Sequence, residues 1–151
     1  ADMVHEMTRR CPTAPIVLED PVEKRAAFAA ADLALAASGT VSLELAANRI
    51  PMVIGYDMAP LSRLVVGMLL RTDTVTLVNL VSDTRAVPEF LGKACQPGAI
   101  AQALQDALED STARKAQLDA MDLTMDRLGK GGEAPGLRAA RSVLGSVTEP
   151  R

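Results

Sequence analysis

Short, unbroken apolar runs alternate with helical stretches along the first half of the chain, and few folds accept that order. The runs IVL (16–18), LALAA (33–37), PMVIGY (51–56) and TVTLV (74–78) are continuous rather than interleaved with polar residues. Strands buried on both faces read this way. Between them, Pro21 suits the first turn of a helix over VEKRAAFAAA, a second helix is expected over 41–48, and a third, strongly apolar, over 61–70. Strand, helix, strand, helix, strand predicts an α/β fold: a Rossmann-like parallel sheet with helices on both faces.

The rest of the chain reads as mostly helical. Residues 1–10 resemble the end of a helix, 79–88 a loop, and 97–110 a helix in which Ile100, Ala103, Leu104, Ala107 and Leu108 keep a helical period. Ser111 is expected to cap a more charged helix running to about residue 128. GKGGEAPG, with four glycines and a proline in eight residues, reads as a linker before a last helix over 137–144. The expected division is therefore a domain at 1–128, a linker at 129–136, and a helix with its tail at 137–151.

Composition narrows the function. A chain of 151 residues is long enough for one core. With 2% aromatic residues, that core must be built from Ala, Val, Leu and Met. So few rings leave little for base stacking, and a net charge of −3 is the wrong sign for a polyanion binder, so nucleic acid is not an expected partner. Cys11 and Cys95 stand far apart and His5 is the one histidine, which implies neither a zinc site nor a disulfide framework. No metal or cofactor is expected. Lone thiols fit a reducing cytoplasm, and the opening residues, with Asp2, His5 and Glu6, do not read as a secretory leader. Asp119, Asp122 and Asp126 read as a solvated helix face, and Met52, Met58 and Met68 as core filler.

The chemistry is expected at ASGTVSLELAANRIPMV, residues 37–53. In open parallel sheets ligands bind beyond the carboxyl ends of the strands, where Ser38-Gly39-Thr40 would lie. A glycine there lets the backbone approach a ligand, and helix amides favour an anion such as phosphate. The plain alternative is that Ser38 or Thr40 only caps the helix. Glu44 is not the partner in a capping box, because Val41 stands three residues before it. It shares a helical face with Thr40 and is suited either to a ribose diol or simply to solvent.

The segment AAADLALAASGTVSLELAANRIPMVIGY, followed by Pro60, by NL at Asn79 and Leu80, and by VPEFL at 87–91, resembles the C-terminal half of lipid-A-disaccharide synthases. These are inverting glycosyltransferases of the GT-B type. The resemblance covers about residues 22–108 and implies a UDP-sugar donor held by this half. Ser38, Gly39 and Thr40 would line the diphosphate and Glu44 the ribose, with Asn79 and Glu89 near the donor pocket. The family usually has an arginine after the tyrosine that closes the strand. Here Asp57 follows Tyr56, and where the family commonly reads AGRE between NL and VPE this chain has Ser82-Asp83-Thr84-Arg85, with Arg85, displaced by one place, the candidate substitute. The resemblance further implies an acylated glucosamine phosphate acceptor and a catalytic base supplied by an N-terminal domain outside this chain, so no catalytic residue is expected within it. It also implies contact with the inner-membrane surface and a homo-oligomer. The alternatives are another UDP-sugar GT-B enzyme or epimerase, and a non-catalytic α/β interaction module.

Overall fold

The structure is a computed structural model that describes residues 2–9, 11–57 and 73–148. The chain divides into two compact units, residues 1–32 and 33–151. The helix expected over 61–70 lies outside the described residues, as do Met58 and Met68.

In the first unit, α1 spans Asp2–Thr8 and α2 spans Pro21–Ala30. α2 starts where proline allows, and the Asp20 carboxylate accepts from the amides of Val22 at 2.6 Å and Glu23 at 3.1 Å. The expected strand at 16–18 does not form. Its backbone is irregular, and Ile16 is 86% exposed. A three-residue run between Pro15 and Pro21 has no ladder partner in this unit, and an isolated strand cannot satisfy its own backbone.

The second unit is built on a three-stranded parallel sheet in the order β1 (Ala34–Ala36), β2 (Met52–Tyr56), β3 (Glu89–Leu91). Ala36 is opposite Ile54, which is opposite Glu89. The expected runs at 33–37 and 51–56 thus carry β1 and β2, and Met52, Val53 and Ile54 are each 0% exposed, as a centre strand covered on both faces requires. The helices are α3 (Val41–Ala47), α4 (Leu77–Ser82), α5 (Pro97–Glu109), α6 (Ser111–Arg127) and α7 (Pro135–Thr148). α6 packs on α3, α4 and α5, while α5 also covers β2. Thr124 on α6 donates to the Val78 carbonyl of α4 at 3.2 Å, and the Gln117 Oε1 accepts the Met52 amide at 2.8 Å. Both are buried polar bonds that fix α6 against distant elements.

Three expectations change. TVTLV is not a strand: residues 74–76 are irregular and α4 begins at Leu77, so Asn79 lies in a helix rather than at a strand end. The β-branched residues do favour a strand, but the Glu89 carboxylate takes the amides of Val75 and Thr76, which a ladder would need. The loop read at 79–88 is helical to Ser82, and β3 follows it at Glu89. Asp110, not Ser111, caps α6, accepting from Thr112 N at 2.8 Å and Ala113 N at 3.1 Å. A carboxylate there also complements the helix dipole.

Asp119 pairs with Lys115 at 2.6 Å, and Asp122 pairs with Arg49. Among the described residues no helix is long and apolar enough to cross a membrane.

Candidate functional site

The turn after β1 sits at the carboxyl edge of the sheet. Gly39 has φ +139°, a conformation that side chains disfavour, and a Cβ at this position would meet nothing within 4 Å among the described residues. The constraint shown at this position is therefore the backbone path. The Gly39 carbonyl accepts both the amide of Ser42, at 3.2 Å, and its hydroxyl, at 2.9 Å, so α3 starts directly from the turn.

The capping alternative fails for both candidate hydroxyls. Thr40 already has helical dihedrals and its side chain makes no capping bond. The Ser38 hydroxyl donates to the carbonyl of Val75 at 3.4 Å, a residue 37 positions away.

Glu44 lies one helical turn beyond Thr40, its amide bonded to the Thr40 carbonyl at 3.3 Å, and it is exposed. It lines a groove of about 480 Å³ between α3 and the end of α6, with Leu43, Ala47 and Met125 on the apolar walls. The far rim is the turn at 129–132, where Gly129 and Gly131 have φ +88° and +78°. Arg138 on α7 donates to the Leu128 carbonyl at 2.6 Å and braces that turn. Lys130 and Glu133 add charge to the same rim. These groove residues were not singled out in the sequence, where the glycines read only as a linker.

Asn79 is 0% exposed and its amide group is turned onto the protein itself. Nδ2 donates to the Val87 carbonyl at 2.9 Å and to Thr74 Oγ1 at 3.2 Å, while Oδ1 accepts the Val87 amide at 3.0 Å. Glu89 is half-buried. One carboxylate oxygen accepts the amides of Val75 at 3.1 Å and Thr76 at 2.6 Å together with the Thr76 hydroxyl, and the other accepts the Thr74 hydroxyl at 2.5 Å. Thr74 therefore joins Asn79 to Glu89, and Val75 joins Glu89 to Ser38. Nothing in the residues Thr74, Val75 and Thr76 themselves announced this connection.

Arg85 is exposed and forked onto Asp73, with its Nε 3.0 Å from Asp73 Oδ2, and it also donates to the Thr84 carbonyl at 2.5 Å. The guanidinium bonds hold the Asp73 carboxyl below its ordinary range and raise Arg85 in return. Both groups stand in solvent, so this pair contributes little to stability. Ser38 and Glu89 thus meet on one short segment, residues 74–76, with Gly39 and Thr40 next to Ser38 in the chain, and Glu44 lines the groove along α3. Asn79 is enclosed behind them and Arg85 is engaged elsewhere. Among the described residues, no group of three or more His, Cys, Asp or Glu side chains is placed to hold a metal ion.

The family model for lipid-A-disaccharide synthetase matches residues 9–134, extending on both sides of the segment that carried the resemblance. The chain is 55% identical over 153 aligned positions to the lipid-A-disaccharide synthase of Ruegeria pomeroyi, an alignment covering 95% of this chain and 37% of that protein. It is 40% identical to the synthase of Paramagnetospirillum magneticum, over 99% of this chain and 38% of the relative, and 40% identical to that of Rhodospirillum centenum, over 99% and 37%. The chain spans a little over a third of the length of these relatives. With a matched family model over most of its residues and a parallel sheet carrying the Ser-Gly-Thr turn at its carboxyl edge, the chain belongs to the lipid-A-disaccharide synthetase family.

Proposed function

We propose that this chain is the sugar-nucleotide-binding part of a glycosyltransferase that moves 2,3-diacylglucosamine from its UDP derivative to 2,3-diacylglucosamine 1-phosphate, releasing UDP. The observation that carries the reading is the turn at Gly39 with Glu44 one helical turn beyond it in the wall of a groove. The backbone of Gly39 and Thr40 faces the diphosphate. Glu44 accepts from the ribose hydroxyls, while the apolar walls of the groove suit the nucleoside. In an inverting transfer the diphosphate leaves with growing negative charge, and preset backbone donors stabilise it most when that charge is complete.

In this reading residues 1–128 form the nucleotide half, 129–136 join it to a closing segment at 137–151 that carries most of α7 and the tail, and the catalytic base and the acceptor site belong to a preceding domain. The acylated acceptor would bring the whole enzyme to the inner-membrane surface. Asn79 is enclosed and acts through the loop it holds, not by touching the donor. Arg85 reaches the diphosphate only by giving up Asp73.

Two measurements test the reading in the full-length protein. Glu44→Ala is expected to raise the donor KM about tenfold, the worth of a hydrogen bond to a charged group. Turnover at saturation stays close to wild type, because ribose contacts are equal in ground and transition states. An unchanged donor KM would remove Glu44 from the site. Gly39→Ala has room for its methyl among the described residues but not the backbone angle, so it is expected to weaken UDP binding in calorimetry while leaving the melting temperature within a few degrees of wild type. Equal UDP affinity in the two proteins would exclude the turn as the diphosphate contact.

A further inference from the structure

We propose that Glu89 is a positioning residue for the donor turn, acting through the peptide that joins Val75 to Thr76; the inference rests on the nucleotide reading of Ser38 to Thr40. The N–H and C=O of a trans peptide point in opposite directions. Here the N–H of that peptide, on Thr76, donates to Glu89 at 2.6 Å, and its C=O, on Val75, accepts from the Ser38 hydroxyl at 3.4 Å. The carboxylate and the hydroxyl grip the two ends of one peptide, and the hydroxyl belongs to the residue just before Gly39. Sheet register supports the arrangement, because Glu89, Ile54 and Ala36 stand level across the three strands and Ala36 is two residues from Ser38.

The chemistry adds to the geometry. A carboxylate on the N–H side polarises the peptide and increases the negative charge on its carbonyl oxygen, and hydrogen bonds in such a chain strengthen one another. The Ser38 bond, long by itself, gains from that charge. With its hydroxyl turned toward Val75, Ser38 tethers the turn and leaves the diphosphate to the backbone. A bare carboxylate beside an anion site would repel the ligand. Glu89 instead spreads its charge over two amides and two hydroxyls.

A double-mutant cycle in the full-length protein, with the UDP dissociation constant read by calorimetry and the melting temperature measured in parallel, tests the coupling. Glu89→Gln and Ser38→Ala are each expected to weaken UDP binding about fivefold to tenfold, and the double variant no more than the weaker single one, because both cut the same chain. If the two losses multiply, or if Glu89→Gln lowers only the melting temperature, Glu89 is a fold residue and the proposal falls while the nucleotide site stands. If the wild-type protein binds no UDP, the site reading falls and this proposal with it. Should Glu89→Gln not fold, Thr76→Val takes one donor from the same oxygen and enters the cycle in its place, with the same two outcomes.

Discussion

Asn79→Leu is expected to lower the unfolding free energy by about 2–5 kcal/mol, seen as a marked fall in the urea midpoint with an unchanged slope. Leucine keeps the branched shape and heavy-atom count but is larger, so the loss of polar partners is joined by some overpacking. Asn79 is fully buried, and its amide satisfies both the N–H and the C=O of Val87 as well as the Thr74 hydroxyl. Each buried backbone group left without a partner costs about 1–3 kcal/mol, and Val87 is itself only 2% exposed, so it is removed from bulk solvent. Asn79→Asp separates the two halves of the bracket. Its carboxylate still accepts the Val87 amide but meets the Val87 carbonyl with a second acceptor. The aspartate therefore costs stability near neutrality and regains part of it on acidification, when the protonated carboxyl donates to that carbonyl. Unfolding curves for Asn79→Leu that superimpose on wild type would mean the bracket contributes nothing.

Gly55→Val is expected to destabilise by about 1 kcal/mol, the low end of the cost of overpacking, because Gly55 is half-buried but closely approached. Strand propensity alone predicts the opposite sign, since valine is among the best strand residues and glycine among the worst. The neighbours decide. A Cβ at Gly55 would stand 3.1 Å from Ile100 Cδ1 on α5 and 3.7 Å from both Cys95 Sγ and Leu35 Cδ1. A single methyl can be met by a small shift of the Ile100 side chain, so Gly55→Ala should be nearly neutral. The two further methyls of valine ask more of Ile100, Cys95 and Leu35 than one small shift. Chemical denaturation of the pair of variants separates these cases, and a stabilising Gly55→Val would show that α5 sits less tightly on β2 than the distances imply.

The parts of the fold legible in the sequence are those decided locally. β1, α3 and β2 follow from apolar run length and the glycine turn. α2 and α5 begin at Pro21 and Pro97, where the missing N–H costs nothing. Asp110 and Ser111 are both good capping types standing side by side, so residue type alone does not say which one caps α6. The parts that were not legible depend on a partner distant in sequence. Residues 16–18 and 74–78 are both apolar enough for strands, yet neither has a ladder to join, and the amides of the second go to a carboxylate 13 and 14 residues further on. The candidate site divides the same way. The turn and Glu44 could be read from spacing, because one glycine and one helical repeat carry the argument. For Asn79 and Glu89 the sequence shows only polar residues near the donor half, whereas in the structure one is buried and the other grips backbone. Burial of a polar side chain leaves no mark on residue type.

The bond from Gln117 to the amide of Met52 has a consequence for how the chain is made. It spans 65 residues, and Gln117 is 1% exposed within α6, the same helix that touches α3, α4 and α5. On a ribosome the central strand therefore emerges well before the helix that closes its first backbone donor. Until α6 is free of the exit tunnel, β2 is an apolar segment with an open hydrogen-bonding group, the kind of segment that nascent chains most need to shield. Nascent chains stalled before Gln117 should remain protease-sensitive around β2, and those stalled well beyond Arg127 should not.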